Sequence, residues 1–401
     1  MLMKLRVFRK TVRDDFVIID SQFPQKEPMG FRNTEINEYF SRFKNINAYT
    51  MYPMKPGEDA WFSHGYGVDK KTYEENKAGY LKLFGQNEAR IHYLDEGTRY
   101  KFKLAYSFFL AETYTLLPFF EKNHIPFMFI LYPGGAFGLD NASSDAMLRK
   151  VCSSPYFRGV IVSQKLTKKY LLKKKICKTS DISYVYGGFV QFREEEVKPK
   201  KFYPKDKSTF DVCFVAAKYT EKGVDKGYDA FIAAAKIIAK KTPDVRFHVI
   251  GNFDESDIDV SSLASRITFY GYQKADFFPE FYSRMDIMIS PNRPGKLYEG
   301  NFDGFPLGVD AGYCGVAMFV SDELGMNEHF TSGEELVIIK VNPRQIASKV
   351  MAYYNDTNSL YKLSEKGRQA SRKFFSIETQ IEGRIKTLND TYKREYAREI
   401  E

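Results

Sequence analysis

FDVCFVAAKYTEKGVDKGYDAFIAAAKIIAKK, residues 210–241, reads as strand, loop and helix in that order. Its first eight residues form a near-continuous apolar run, the pattern of a strand covered on both faces. YDAFIAAAKIIAKK then repeats apolar residues at helical spacing. The same alternation extends in both directions. Downstream follow VRFHVIG, RITFYGY, FPEFYSRM, IMISP, a helix around Asp310, AMFVSD and ELVIIK. Upstream lie FVIID (Phe16–Asp20), a helical TEINEYFSRF that Thr34 could cap, and the strands NAYTMYP, ARIHYL, PFMFILYP and GVIVSQ. KFKLAYSFFLAETYTLLPFFEKN is read as one of the helical segments between them. Alternating strands and helices predict parallel sheets with helices on both faces.

At 401 residues the chain is longer than one hydrophobic core usually supports, so two domains are expected, with a cleft between them as the expected site. QFREEEVKPKKFYPKDKS breaks the pattern: it is charged, carries prolines and has no apolar period. The predicted organisation is a doubly wound domain at 1–192, a linker at 193–208, a second doubly wound domain at 209–378, and a long amphipathic helix at 379–401 that packs back on the first.

Composition excludes several classes. With 43% hydrophobic and 28% charged residues the chain is globular rather than disordered. A net charge of +9 favours anionic partners, nucleotides and phospholipid surfaces among them. No RNP-like, zinc-finger or helix-turn-helix signature accompanies that charge, so nucleic acid is not an expected partner. Cys152, Cys177, Cys213 and Cys314 are far apart in sequence and contain no CxxC pair, which predicts buried thiols of a reducing compartment and no structural zinc. MLMKLRVFRKTVRDDFVII lacks a sustained apolar stretch, and no later run reaches the roughly 18 apolar residues of a spanning helix. A cytoplasmic protein is expected.

Ligands of open α/β sheets bind beyond the carboxyl ends of strands, and two such loops carry chemistry. In KYTEKGVDKGYDAF, Lys218 follows the strand and Lys226 precedes Gly227 and the helix, a pair of cations beside helix amides that suits a diphosphate as well as it suits plain solvation. LYEGNFDGFPLGVDAGYCG, residues 297–315, holds Glu299, Asp303 and Asp310 among five glycines. Amides from Phe305 to Val309 open a helix with Asp310 about a turn inside, where a carboxylate can either take the hydroxyls of a ribose or stabilise the helix start.

GFPLGVDAGYCGVAMFVSD resembles the donor segment of retaining glycosyltransferases of the glycosyltransferase family 4 type, in which an acid, GF, a phosphate-binding turn, a second acid, Ala and a CG pair precede a strand. AAKYTEKGVDKG resembles the family's Arg/Lys phosphate pair, and RITFYGYQKADFFPEFYSRMDIMISP the stretch before its acids, over roughly Phe210 to Asp322. The resemblance implies a GT-B fold, two Rossmann-like domains facing a cleft, and a nucleotide-diphosphate sugar as donor substrate with no cofactor and no metal. Lys218 and Lys226 would neutralise the diphosphate, Leu307 and Gly308 would offer amides to it, Asp310 would hold the ribose, Tyr272 and Gln273 would lie beside the base, and Asp303 would contact the donor sugar. Departures are visible: Asp303 and Asp310, separated by six residues, stand one position closer than the family's usual pair of glutamates, and Glu299 is a second candidate for the sugar-facing acid. Lys replaces the commoner Arg at 218, losing a bidentate fork. PFMFILYP leads to GGAFG, where many relatives carry a histidine.

MGFRNTE after the first strand resembles the glycine loop facing the donor phosphates, which brings in Gly30 on the donor side and Arg32 on the acceptor side; His64 in FSHGYGVD is a further acceptor-side candidate. Asp257 and Asp259 form a DxD in the polar DESDIDVSS, read as a surface loop. KLTKKYLLKKKICK mixes leucines with cations and suits an anionic membrane carrying a lipid-linked acceptor, or a solvated helix face. The expected function is transfer of a sugar, with retention and without metal, to a glycan, glycoprotein or lipid-linked acceptor in bacterial surface polysaccharide assembly. The competing expectations are a catalytically silent GT-B subunit that stabilises a partner transferase, and a GT-B epimerase acting on the sugar nucleotide.

Overall fold

A computed structural model describes residues 10–27, 30–57 and 60–398. The start of MLMKLRVFRKTVRDDFVII, residues 1–9, lies outside the described residues. The chain divides into two compact units: one runs to Val185 and resumes at Ile381, the other spans Tyr186–Gln380.

Each unit is built on one sheet of parallel strands. The first sheet has seven: β1 (Thr11–Asp20), β2 (Ile46–Thr50), β3 (Ile91–Tyr93), β4 (Arg99–Phe108), β5 (Phe127–Leu131), β6 (Phe157–Val162) and β7 (Ile182–Tyr184), in the order β3-β2-β1-β4-β5-β6-β7. The second has six: β8 (Phe210–Val215), β9 (Val245–Ile250), β10 (Ile267–Phe269), β11 (Ile287–Ser290), β12 (Ala317–Ser321) and β13 (Val337–Ile339), in the order β10-β9-β8-β11-β12-β13. In both, strand order reverses between the first strand and the one three further on. Those two junctions, β1/β4 and β8/β11, are where a doubly wound sheet leaves a crevice at its carboxyl edge.

The segment 101–123 departs from expectation. It is not one helix: β4 ends at Phe108 and the helix Leu110–Asn123 starts two residues later. RYKFKLAYSF alternates exposed and buried residues at its start, as a strand does, and Phe109 at φ 59 breaks the chain direction between the two elements. The stretch expected as a linker at 193–208 is part of the second unit, because its cations and rings have partners there. Lys207 pairs with Asp211 at 2.7 Å and Asp286 at 2.5 Å, and Tyr203 bonds Asp244.

The second core is assembled from alternate residues on one face of β8, β9, β11 and β12, with the helix Tyr228–Ala239 contributing Phe231, Ala235 and Ile238. The helix Ile377–Arg398 starts in the second unit and passes into the first, where Arg384 is fully buried. Its guanidinium lies 3.4 Å from Glu35 and donates to the Tyr132 hydroxyl at 3.0 Å. Cys213 and Cys314 are buried as expected, but Cys152 and Cys177 are only partly so, and their sulfurs lie 3.2 Å apart where the end of the helix Ala142–Cys152 meets the loop that follows the helix Lys165–Lys173. Leu171 and Tyr170 of the helix Lys165–Lys173 are buried in the first unit, which leaves its lysines as the outward residues. No described helix is long and apolar enough to cross a membrane.

Candidate functional site

A cavity of about 250 Å³ opens at the carboxyl edge of the second sheet, at the β8/β11 junction. Val215, Ala216, Ala217 and Tyr219 line it from the end of β8, Ser290 and Asn292 from the end of β11, and Leu307, Gly308 and Asp310 from the glycine-rich turn. Lys226 completes the wall. The chain reaches this geometry through two glycines. Gly227 (φ 71) brings the start of the helix Tyr228–Ala239 against β11, where a Cβ would lie 2.0 Å from the carbonyl oxygen of Pro291. Gly308 (φ 71) precedes the short helix Val309–Tyr313, where a Cβ would lie 1.9 Å from the sulfur of Met288.

Lys226 is nearly buried, and its ammonium bonds both oxygens of Asp303 at 2.7 and 2.8 Å. Asn292 donates to the same carboxylate at 2.7 Å, and the hydroxyl of Ser290 reaches the Asn292 amide oxygen at 3.1 Å. The ring of the exposed Tyr219 covers the ammonium at 5.3 Å. Asp310 sits in the first turn of its short helix rather than a turn inside, since the helix starts only at Val309. Burial pushes its carboxyl up to about 6, against the opposing pull of two bonds from Gln191, the backbone amide at 3.3 Å and the side-chain amide at 3.2 Å.

The structure therefore brings together Lys226, Asp303, Leu307, Gly308 and Asp310. It places the other donor-side candidates differently. Lys218 points away from the cavity and bonds both oxygens of Asp257, at 2.7 and 2.9 Å. Asp257 is consequently not a solvated loop residue, as expected, but a partly buried counter-ion; Asp259, by contrast, is exposed and 3.6 Å from Lys236. Tyr272 is exposed in the loop after β10, Gln273 donates to the Tyr270 carbonyl at 2.6 Å, and neither lines the cavity. Glu299 is exposed in a loop that Asn301 closes by accepting from the amides of Leu297 and Tyr298 at 3.0 and 3.3 Å. Among the described residues no His, Cys, Asp and Glu group has the arrangement of a metal site.

In the first unit, Arg32 lies at the β1/β4 junction. It pairs with Asp20 at 2.6 Å and Glu112 at 3.3 Å, and its guanidinium covers the Phe109 ring at 5.1 Å. Burial lifts the Glu112 carboxyl to about 8, Asp20 adds to the rise, and Arg32 opposes it. Gly30 (φ 74) precedes the helix Phe31–Arg42 and faces open space. His64 is exposed and 3.2 Å from the Tyr66 hydroxyl.

Sequence reading missed Asn292, Tyr219, Gln191 and Glu112. Asn292 and Tyr219 follow strands β11 and β8 directly, and Glu112 is the lone acid in the apolar run SFFLAETYTLLPFF; those positions were the available signals. Gln191 had none, because its role depends on a contact 119 residues away.

Residues 209–356 match the family of glycosyl transferases group 1. The whole chain is similar in fold to solved GT-B glycosyltransferases. Sucrose-phosphate synthase from Thermosynechococcus elongatus matches with TM-score 0.65 and 12% identity, covering 96% of this chain and 100% of that one. Anabaena Alr3699/HepE in complex with UDP-glucose matches with TM-score 0.64 and 13% identity, over 94% and 99%. Staphylococcus aureus TarM, solved with fondaparinux, alpha-GlcNAc-glycerol and UDP, matches with TM-score 0.55 and 16% identity, over 71% and 55%. No curated protein matches in sequence. The likeness to glycosyl transferases group 1 is thus carried by residues 209–356 of the second unit, and the chain shares the GT-B fold of these solved structures.

Proposed function

We propose that the chain transfers a sugar, with retention and without a metal ion, from a nucleoside-diphosphate sugar to a glycan or lipid-linked acceptor in bacterial cell-surface polysaccharide assembly. The observation that carries this reading is the cavity at the β8/β11 junction, where Lys226 and Asp310 line the wall beside a glycine turn and Asp303 pairs with Lys226. Neighbours solved with UDP, UDP-glucose and an alpha-GlcNAc glycoside support the donor class.

The chemistry follows from charge. As the glycosidic bond breaks, negative charge grows on the departing diphosphate, and a fixed ammonium beside it stabilises that change most in a site with little water. Lys226 supplies the ammonium, and amides at Leu307 and Gly308 add donors. Asp310 takes the ribose hydroxyls. Asp303, held by Asn292, is the sugar-facing acid, and Glu299 is a loop residue. Arg32 and His64 serve the acceptor side, and the lysines of the helix Lys165–Lys173 meet an anionic membrane from the cytoplasmic face.

The test is turnover of UDP, GDP and CMP sugars by the whole chain in the presence of EDTA. Lys226→Ala and Asp310→Ala should each lower donor turnover by at least tenfold with the fold intact by circular dichroism; unchanged turnover in both sinks the site assignment. A second reading, a silent sugar-nucleotide-binding subunit, draws on the carboxylate partners that occupy both phosphate-directed lysines at rest. Tight binding with no hydrolysis or transfer, acceptors supplied, would favour it.

A further inference from the structure

Lys218 and Lys226 bracket one loop, yet only Lys226 lines the cavity. The chain neighbours of Lys218 on both sides, Ala217 and Tyr219, do line it, so its backbone borders the cavity while its side chain leaves. The ammonium is taken up by both oxygens of Asp257 at 2.7 and 2.9 Å and lies 6.0 Å from the Phe253 ring. Both ends of that pair are anchored. The Lys218 amide donates to Asn252 at 2.8 Å, and Asp257 also accepts from the Asp254 amide at 3.1 Å. Asp257 is 12% exposed and Lys218 25%.

An ion pair of this exposure is weak in net terms, because water screens it and a long side chain loses freedom in holding it. A diphosphate offers more negative charge and more acceptor oxygens than one carboxylate. Lysine is a point charge on a flexible stem, so it can exchange one partner for another by side-chain rotation, where an arginine fork would resist.

We propose that Asp257 is a positioning residue that parks Lys218 away from the donor, and that donor binding transfers Lys218 from Asp257 to the diphosphate. Donor affinity is then set partly by a carboxylate outside the cavity. This rests on the donor-site reading above.

The experiment is calorimetric titration of the whole chain with UDP, GDP and ADP, in wild type, Asp257→Asn, Lys218→Ala and the double variant. Asp257→Asn should bind the preferred diphosphate about two- to fivefold more tightly, the range such an ion pair is worth. The gain should vanish in the double variant, since it acts through Lys218, and Lys218→Ala alone should bind more weakly than wild type. A gain that persists without Lys218 is a general effect of removing negative charge and overturns the proposal, as does equal or weaker binding by Asp257→Asn. If Asp257→Asn does not fold, Lys218→Ala decides: unchanged affinity overturns the proposal and weaker affinity supports it. Binding of no diphosphate by any of the four chains overturns the donor-site reading itself and the parked lysine with it.

Discussion

Asp310 carries the clearest consequence for pH at the level of a single residue. Its carboxyl is raised from the ordinary range to about 6 because the folded chain buries it, with Gln191 pulling the other way. The sign follows from linkage. Between roughly pH 4 and 6 the folded state binds a proton that the unfolded state has released, so this group's contribution to stability falls as pH rises through that window and is constant above it. On the donor-site reading proposed above, binding runs the opposite way, since ribose hydroxyls donate best to an ionised carboxylate. UDP-glucose, whose phosphates are diesters and do not titrate in this range, should therefore bind more tightly as pH rises through about 6 and level off by pH 7.5. Isothermal titration across pH 5–8 measures this. Asp310→Asn should bind more weakly and show a flat profile; a profile that survives the substitution would assign the titration elsewhere. Gln191→Ala removes a bond to the ionised form and should move the inflection upward while leaving the plateau affinity lower.

Elements meet at the site through close backbone approach, and Gly227 is one of the tight approaches. Alanine there would combine a left-handed conformation that L-residues resist with a methyl group driven against the Pro291 carbonyl. A cost of about 3 kcal/mol is expected, from strain of one to three and overpacking of similar size. Urea unfolding of Gly227→Ala checks it, and a loss under 1 kcal/mol would mean that β11 and the helix Tyr228–Ala239 are free to shift apart. Lys222 is the reverse case: exposed, at φ 55, with only a 3.9 Å surface pair to Glu221, so Lys222→Gly should hold or raise stability by up to about 1 kcal/mol. These junctions also mark what was legible in the sequence. Strand and helix order was readable wherever an apolar run ended in turn residues, as at Val215 and Ser290. It was misread at Arg99–Asn123, where strand and helix are both apolar and only the backbone angle of Phe109 separates them. The site was readable where one motif supplies it, from Asp303 to Asp310, and for Lys226 beside its glycine. It was unreadable where a role is a partnership across the chain: Asn292 with Asp303, Gln191 with Asp310, and above all Lys218 with Asp257, which alone could show that two similar lysines have different surroundings.

The molecule as a whole is discontinuous in sequence, because the first unit needs chain from both ends of the second. What ties the returning helix in is a buried polar group, Arg384 with Glu35, Tyr132 and Tyr39, in which both tyrosines donate to Glu35 at 2.7 Å. Such a pair adds little over a well-packed apolar substitute, but removing one partner leaves a charge buried without compensation, a loss of about 3 to 5 kcal/mol. Arg384→Leu should therefore destabilise the first unit by that amount, and adding Glu35→Leu should restore part of it. The damage should be confined. Trp61, the chain's one tryptophan, lies in the first unit, whereas Lys226, Asp303 and Asp310 all lie in the second, whose core is its own. Denaturant titration of Arg384→Leu followed by tryptophan fluorescence should show an earlier transition, while the midpoint at which UDP binding is lost stays where it is in wild type. Coincident loss of both signals in the variant would mean that the units unfold as one cooperative body, and that the donor site depends on the helix Ile377–Arg398 as much as the first sheet does.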